Sequence, residues 1–185
     1  MTHNLADRRR VLTGMAGAVG AAAIITTNGH AQESNGVVTG GQFPPDGEIT
    51  KFSTGGYYEI NHNYSRAVVL DNWIFMSNTA GVDPQTGKFP SDPVQQARFA
   101  IEKVEKSLAE LGSGLADVVR YVAHVPNRGD IFPVMNFVSS RFEGIDPAVT
   151  LLCTPLGSDD YKVELEVTAY RTSGKRKQKR LLKRL

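Results

Sequence analysis

The chain has 185 residues, 41% hydrophobic and 22% charged, ordinary proportions for one globular domain that buries a normal core without staples. Its single cysteine, Cys153, excludes an intramolecular disulfide, and His3, His30, His62 and His124 are too scattered to suggest a zinc site, so neither a metal nor another cofactor is expected. The formal charge of +2 is unevenly spread: without Asp7 to Arg10 and the seven basic residues of the last eleven, 11 basic and 18 acidic residues remain, a net of −7. That acidic body is a poor match for nucleic acid, whose phosphates need clustered Lys and Arg.

Residues 1–31 open with Asp7-Arg8-Arg9-Arg10-Val11-Leu12, followed by a weakly apolar, uncharged stretch. A positive region before such a stretch is the layout of a secretory leader, and the paired arginines resemble the twin-arginine type. The stretch is about 15 residues, short of the roughly 20 that span a bilayer. Gly29 and Ala31 offer small residues for cleavage before Gln32. The expectation is a periplasmic or secreted protein with no integral membrane segment in its mature form. Residues 32–56, rich in Gly, Pro, Ser and Thr without an apolar period, read as a linker or irregular arm.

The domain is expected over 57–172. Ala67–Leu70 and Trp73–Ser77, separated by Asp71-Asn72, predict a hairpin. A turn follows at Asp83-Pro84-Gln85-Thr86-Gly87. Ser91 or Asp92 caps a helix with Pro93 at its first position. Val94, Ala97, Ile101, Val104, Leu108 and Leu111 form its apolar stripe, and Gly112 ends it. Asp117–Val125 is strand-like and β-branched. A second helix starts at Asp130, with Phe132, Met135 and Phe142 facing inward. Ala148–Thr154 and Lys162–Tyr170 are further strands, the last alternating Val163, Leu165, Val167 against Glu164, Glu166, Thr168. The order ββ-α-β-α-ββ puts both helices on one face of a mixed sheet. The uncovered face then calls for a partner, which argues for an oligomer. Residues 173–185 form a basic tail, solvated or directed to anionic surfaces.

Tyr64-Ser65-Arg66-Ala67-Val68, Ser77, the 83–87 turn, Gln96-Ala97-Arg98, Leu115 to Val119, Asn136, Phe142, Pro147-Ala148 and Val163-Glu164-Leu165-Glu166, in that order, resemble the reactive intermediate deaminase (Rid, YjgF-like) family over roughly 57–171. The resemblance implies an α+β, chorismate-mutase-like fold: a mixed six-stranded sheet with two helices on one face, assembled as a homotrimer around a central barrel. It further implies a small-molecule ligand in pockets between subunits, and hydrolysis of enamines and imines with release of ammonia. Glu164 matches the glutamate linked to water activation. Tyr64, Ser65, Phe132, Asn136, Val149 and Thr150 are the candidate substrate-binding residues.

One departure bears on function. The family's arginine, which clamps a substrate carboxylate through two charge-assisted hydrogen bonds, is Val149 here, and valine cannot bind a carboxylate. Asn78-Thr79 likewise replaces a Gly-Gln pair. Two readings follow: a hydrolase of imines or enamines that lacks the carboxylate clamp, or a non-catalytic small-ligand-binding protein. Arg66 and Arg128 are the obvious substitutes for the missing guanidinium, although a lone arginine is commonly a surface residue. His62 and His124 read as structural, and Cys153 as a buried, inert thiol.

Overall fold

A computed structural model of the chain describes residues 37–38, 49–172 and 183; the leader reading at 1–31 and nearly all of the basic tail lie outside the described residues. Among the described residues seven strands form one sheet: β1 Val37–Val38, β2 Ile49–Phe52, β3 Ala67–Leu70, β4 Trp73–Ala80, β5 Val118–His124, β6 Ala148–Leu152 and β7 Glu164–Tyr170. Their order is β1-β2-β3-β4-β7-β5-β6. Only β5 and β6 pair in parallel. A parallel neighbour needs a crossover, and helix α3 (Ile131–Ser140) makes it. The long helix α2 (Pro93–Glu110) connects β4 to β5. The architecture is the expected α+β mixed sheet.

Local chemistry explains the clearest elements. The Asp71-Asn72 turn closes β3 on β4 with Leu70 opposite Trp73, and Asp71 takes a positive φ of 54°, a conformation that Asx residues tolerate. Asp92 caps α2 by accepting from the Val94 amide at 3.0 Å, with Pro93 in the first turn. Gly112, at φ 67°, ends it. The α2 stripe of Ala97, Ile101, Val104 and Leu108 is fully buried, with Val163, Leu165, Val167 and Ala169 of the β7 region in the same core.

The arm at 32–56 contributes more order than its composition suggests. β2 pairs residue for residue with β3, from Ile49 opposite Leu70 to Phe52 opposite Ala67, and β1 adds a two-residue edge beyond it. These two strands join the five of residues 67–170 to make seven, one more than the six-stranded sheet the resemblance implies. The short helix α1 (Tyr57–Asn61) follows and was not legible from any apolar period.

Two side-chain expectations are corrected. Phe132 faces out and is 78% exposed. The buried stripe of α3 runs through Val134 and Val138, one turn apart, and two residues before Val134 is about 200° around the helix. Cys153 is exposed rather than buried, because β6 is an edge strand and ends at Leu152.

Candidate functional site

The side chains of β7 divide cleanly. Val163, Leu165, Val167 and Ala169 enter the core, while Glu164, Glu166, Thr168 and Tyr170 stand on the face away from the helices. Pairing carries that division across the sheet: Glu164 is opposite His124 of β5, which is in turn opposite Leu152 of β6. On the other side, the register of β4 against β7 shifts between Met76 and Thr79. Such a bulge re-aims side chains, and Asn78, which sits within it, donates from Nδ2 to Glu164 Oε2 at 3.2 Å. Asn78, Glu164 and His124 thus form a row across three neighbouring strands.

Electrostatics sets this row apart. Burial pushes the Glu164 carboxyl above its usual range, against the opposing influence of His124, the Asn78 hydrogen bond and Arg66. Asn78 Oδ1 and His124 Nε2 are buried with no hydrogen-bond partner, a rare condition that calls for an explanation. Tyr161 joins the neighbourhood: burial raises its phenol, as do Tyr58, to which it is hydrogen-bonded, Glu164 and Tyr64. Gln96 ties the 158–162 loop to α2. Its Nε2 donates to Pro90 O at 2.6 Å and Asp160 O at 2.8 Å, and its Oε1 accepts from the Lys162 amide at 2.9 Å.

Arg66 is spoken for. It is 6% exposed, and Glu59, its partner on α1, is 4% exposed. Arg66 Nη2 lies 2.9 Å from Glu59 Oε1, its Nε donates to the same oxygen at 3.0 Å, and its Nη1 donates to Asn78 O at 3.0 Å. Burial pushes the Glu59 carboxyl up, but hydrogen bonds from Ser53, Thr54 and Arg66 overcome it and bring the value down to about 2. Arg66 is therefore paired inside the fold, beneath the Asn78 backbone, while its charge still acts on Glu164. Arg128 lies exposed in the one-turn helix Arg128–Asp130.

The remaining candidates fall in different places. Tyr64 is partly exposed beside Tyr161, and the Ser65 carbonyl accepts from the Ser77 hydroxyl at 2.9 Å. Thr150 is opposite Val122 on the Glu164 face and receives Arg120 Nη2 at 3.4 Å. Val149 is opposite core residue Tyr121, so it stands on the other face of the sheet from Glu164, at the β6 edge. Phe132 and Asn136 are exposed on α3. Within one chain, Glu164 and Val149 do not meet. Sequence reasoning passed over Asn78 as a partner and His124 as more than structural, since only the bulge and the β5–β7 register place them beside Glu164. A groove of about 680 Å³ is walled by Pro93, Asn127, Asp130, Leu156, Tyr161 and Lys162, among others. Its walls include Tyr161, which interacts with Glu164, but none of Asn78, Glu164 and His124. We take the row as the site, because it holds the perturbed carboxylate and the two unpartnered atoms.

Comparison with known proteins shows the family. The family described as endoribonuclease L-PSP matches residues 57–171, which is most of the chain. The chain belongs to that family, the YjgF/RutC proteins. A RutC family protein from Pyrococcus abyssi is 32% identical over 110 residues, covering 58% of this chain and 86% of that one. The mouse 2-iminobutanoate/2-iminopropanoate deaminase is 29% identical over 110 residues, covering 57% and 79%. Among solved structures, a YjgF/YER057c/UK114 family member from Mycobacterium tuberculosis superposes with a TM-score of 0.60 at 29% identity, covering 66% of this chain and 99% of that one. At family level the chain is therefore Rid-like, related to imine deaminases. Among the described residues no helix is long and apolar enough to cross a membrane.

Proposed function

We propose that the chain is an exported Rid-type hydrolase of imines and enamines that works without the carboxylate clamp of its relatives, with Glu164 activating the water. The observation that carries this reading is the half-buried Glu164 carboxylate, raised by desolvation and set between Asn78 and His124. A carboxylate moved toward neutral pH is a better base for water than an ordinary one. Water adds to the C=N carbon, the π pair moves to nitrogen, and Glu164 takes the proton of the attacking water. With the C=N nitrogen protonated beforehand as the iminium, the carbinolamine nitrogen takes back the proton Glu164 held, and the hydroxyl proton passes to Glu164 as C=O re-forms and ammonia leaves.

The pocket is proposed to lie between copies of the chain. Glu164 and Val149 stand on opposite faces of one sheet, so both can line one pocket only when two copies meet. The open sheet face also carries partly exposed Trp73 and Phe75, stacked at 6.2 Å, apolar surface that a homotrimer would cover. Residues 1–31 would direct export, and the net of −7 on the body favours a small molecule over RNA. The second reading, a binding protein that retains the pocket without turnover, is favoured by Val149 and by the engagement of Arg66 with Glu59.

The test is to generate a carboxylate-free imine in situ with an amine oxidase and follow its loss in the presence of the chain. Wild type is expected to accelerate hydrolysis, and Glu164→Gln to return it to background. No acceleration by wild type would leave the binding reading in its place.

A further inference from the structure

Three adjacent strands place hydrogen-bond acceptors side by side. Asn78 Nδ2 is used on Glu164, which turns Oδ1 of the same amide away from that bond, buried and unpartnered. His124 Nε2, opposite Glu164 on the other side, is also buried and unpartnered. In the tautomer protonated at Nδ1, Nε2 is an acceptor. The Glu164 carboxylate between them accepts as well. Buried acceptors that find no donor in the fold are costly, and a ligand rich in N–H groups satisfies them.

The charges nearby point the same way. Arg66, the cation beneath Asn78, is paired with Glu59 at 2.9 Å, and position 149 carries valine, so no unpaired guanidinium among the described residues of the site awaits an anion. Tyr161, hydrogen-bonded to Tyr58, also interacts with Glu164 and Tyr64 at this side of the row. The acceptor row favours a positive, N–H-bearing group over a carboxylate.

We propose that the ligand of this site is a carboxylate-free cation bearing N–H, an alkyl iminium or its ammonium counterpart, held at nitrogen by Asn78 Oδ1 and His124 Nε2 on either side of Glu164. This rests on the Glu164 site proposed above and makes Asn78 and His124 its specificity-determining residues. With an iminium, the hydrolysis balances as R–CH=NH2⁺ and water giving R–CHO and NH4⁺, with no redox partner.

Binding tests the ligand class separately from turnover. The full chain is titrated with propylammonium and with propionate, each followed by heteronuclear NMR. Propylammonium is expected to bind and propionate not to. Asn78→Ala and His124→Phe should each weaken propylammonium binding roughly tenfold, the loss of one hydrogen bond to a charged group. His124→Gln, which keeps an acceptor, should retain most of the affinity, and thermal melts confirm that each variant is folded. Equal or tighter binding of propionate, no binding of propylammonium, or ammonium binding that ignores both substitutions would overturn the assignment. If propylammonium binds as stated while the chain hydrolyses no imine, the ligand class stands and the hydrolase reading alone fails.

Discussion

Replacing Glu59 by Gln should expose how much the α1 segment matters to the fold. Glu59 and Arg66 are buried together at 2.9 Å. The Glu59 carboxyl sits at about 2 against an ordinary 4.5, a gap equivalent to about 3 kcal/mol at about 1.4 kcal/mol per factor of ten. A depressed carboxyl stabilises the fold above its unfolded value and loses that contribution as pH falls through its folded value. The contribution is thus complete above about pH 5 and gone near pH 2. Removing the charge also strands the Arg66 guanidinium, and breaking a buried pair from one side costs about 3–5 kcal/mol. Urea unfolding of wild type and Glu59→Gln, at one protein concentration and between pH 7 and pH 2, reads the difference directly. We expect a loss of about 3 kcal/mol or more at pH 7 that shrinks toward zero near pH 2. A Glu59→Met, Arg66→Leu double variant should lose less than Glu59→Gln alone, since it leaves no stranded charge. A difference under about 1 kcal/mol at pH 7, or one that does not change with pH, would refute the reasoning.

Other expectations follow from single contacts. A Cβ at Gly81 would overlap the Gln96 backbone carbonyl, so Gly81→Ala should destabilise by about 2–3 kcal/mol in denaturant unfolding and disturb the Gln96 bonds that hold the Tyr161 loop. Asp92→Ala removes the α2 cap and should cost about 1 kcal/mol by the same measurement. Val138→Ala, in the core, should cost of order 2 kcal/mol, whereas Phe132→Ala should stay within about 0.5 kcal/mol; comparable losses would contradict the outward placement of Phe132.

The elements legible in the sequence are those whose period survives on its own. The α2 stripe repeats every three to four residues between a cap and a glycine, and β7 alternates over its whole length, so both are readable without tertiary context. β2 is not: Ile49-Thr50-Lys51-Phe52 is too short for a period and becomes a strand because β3 offers it an edge. Phe132 is as apolar as the core residues of α3, but it lies about 200° around the helix from Val134, and phase rather than hydrophobicity sets its exposure. At the site, Glu164 is marked by its segment, but its partners come from tertiary pairing. His124 lies forty residues away and meets it only through β5–β7 register, while Asn78 reaches it through a bulge that no residue pattern announces. The Glu59–Arg66 pair joins a buried arginine to a helix that has no apolar signature, and so the fate of Arg66 could not be read beforehand.

The most direct measurement of the central claim is hydrolysis of a small 2-imino acid, generated in situ by an amino-acid oxidase, by wild type, Val149→Arg and Val149→Arg/Glu164→Gln. An arginine–carboxylate contact is worth roughly 1.5–3 kcal/mol per hydrogen bond, so its absence should cost at least one to two decades in rate. Wild type is expected to match the uncatalysed background, Val149→Arg to exceed it by at least about tenfold, and the double variant to fall back. Wild-type hydrolysis of the imino acid at the rate of the mouse deaminase would contradict the account.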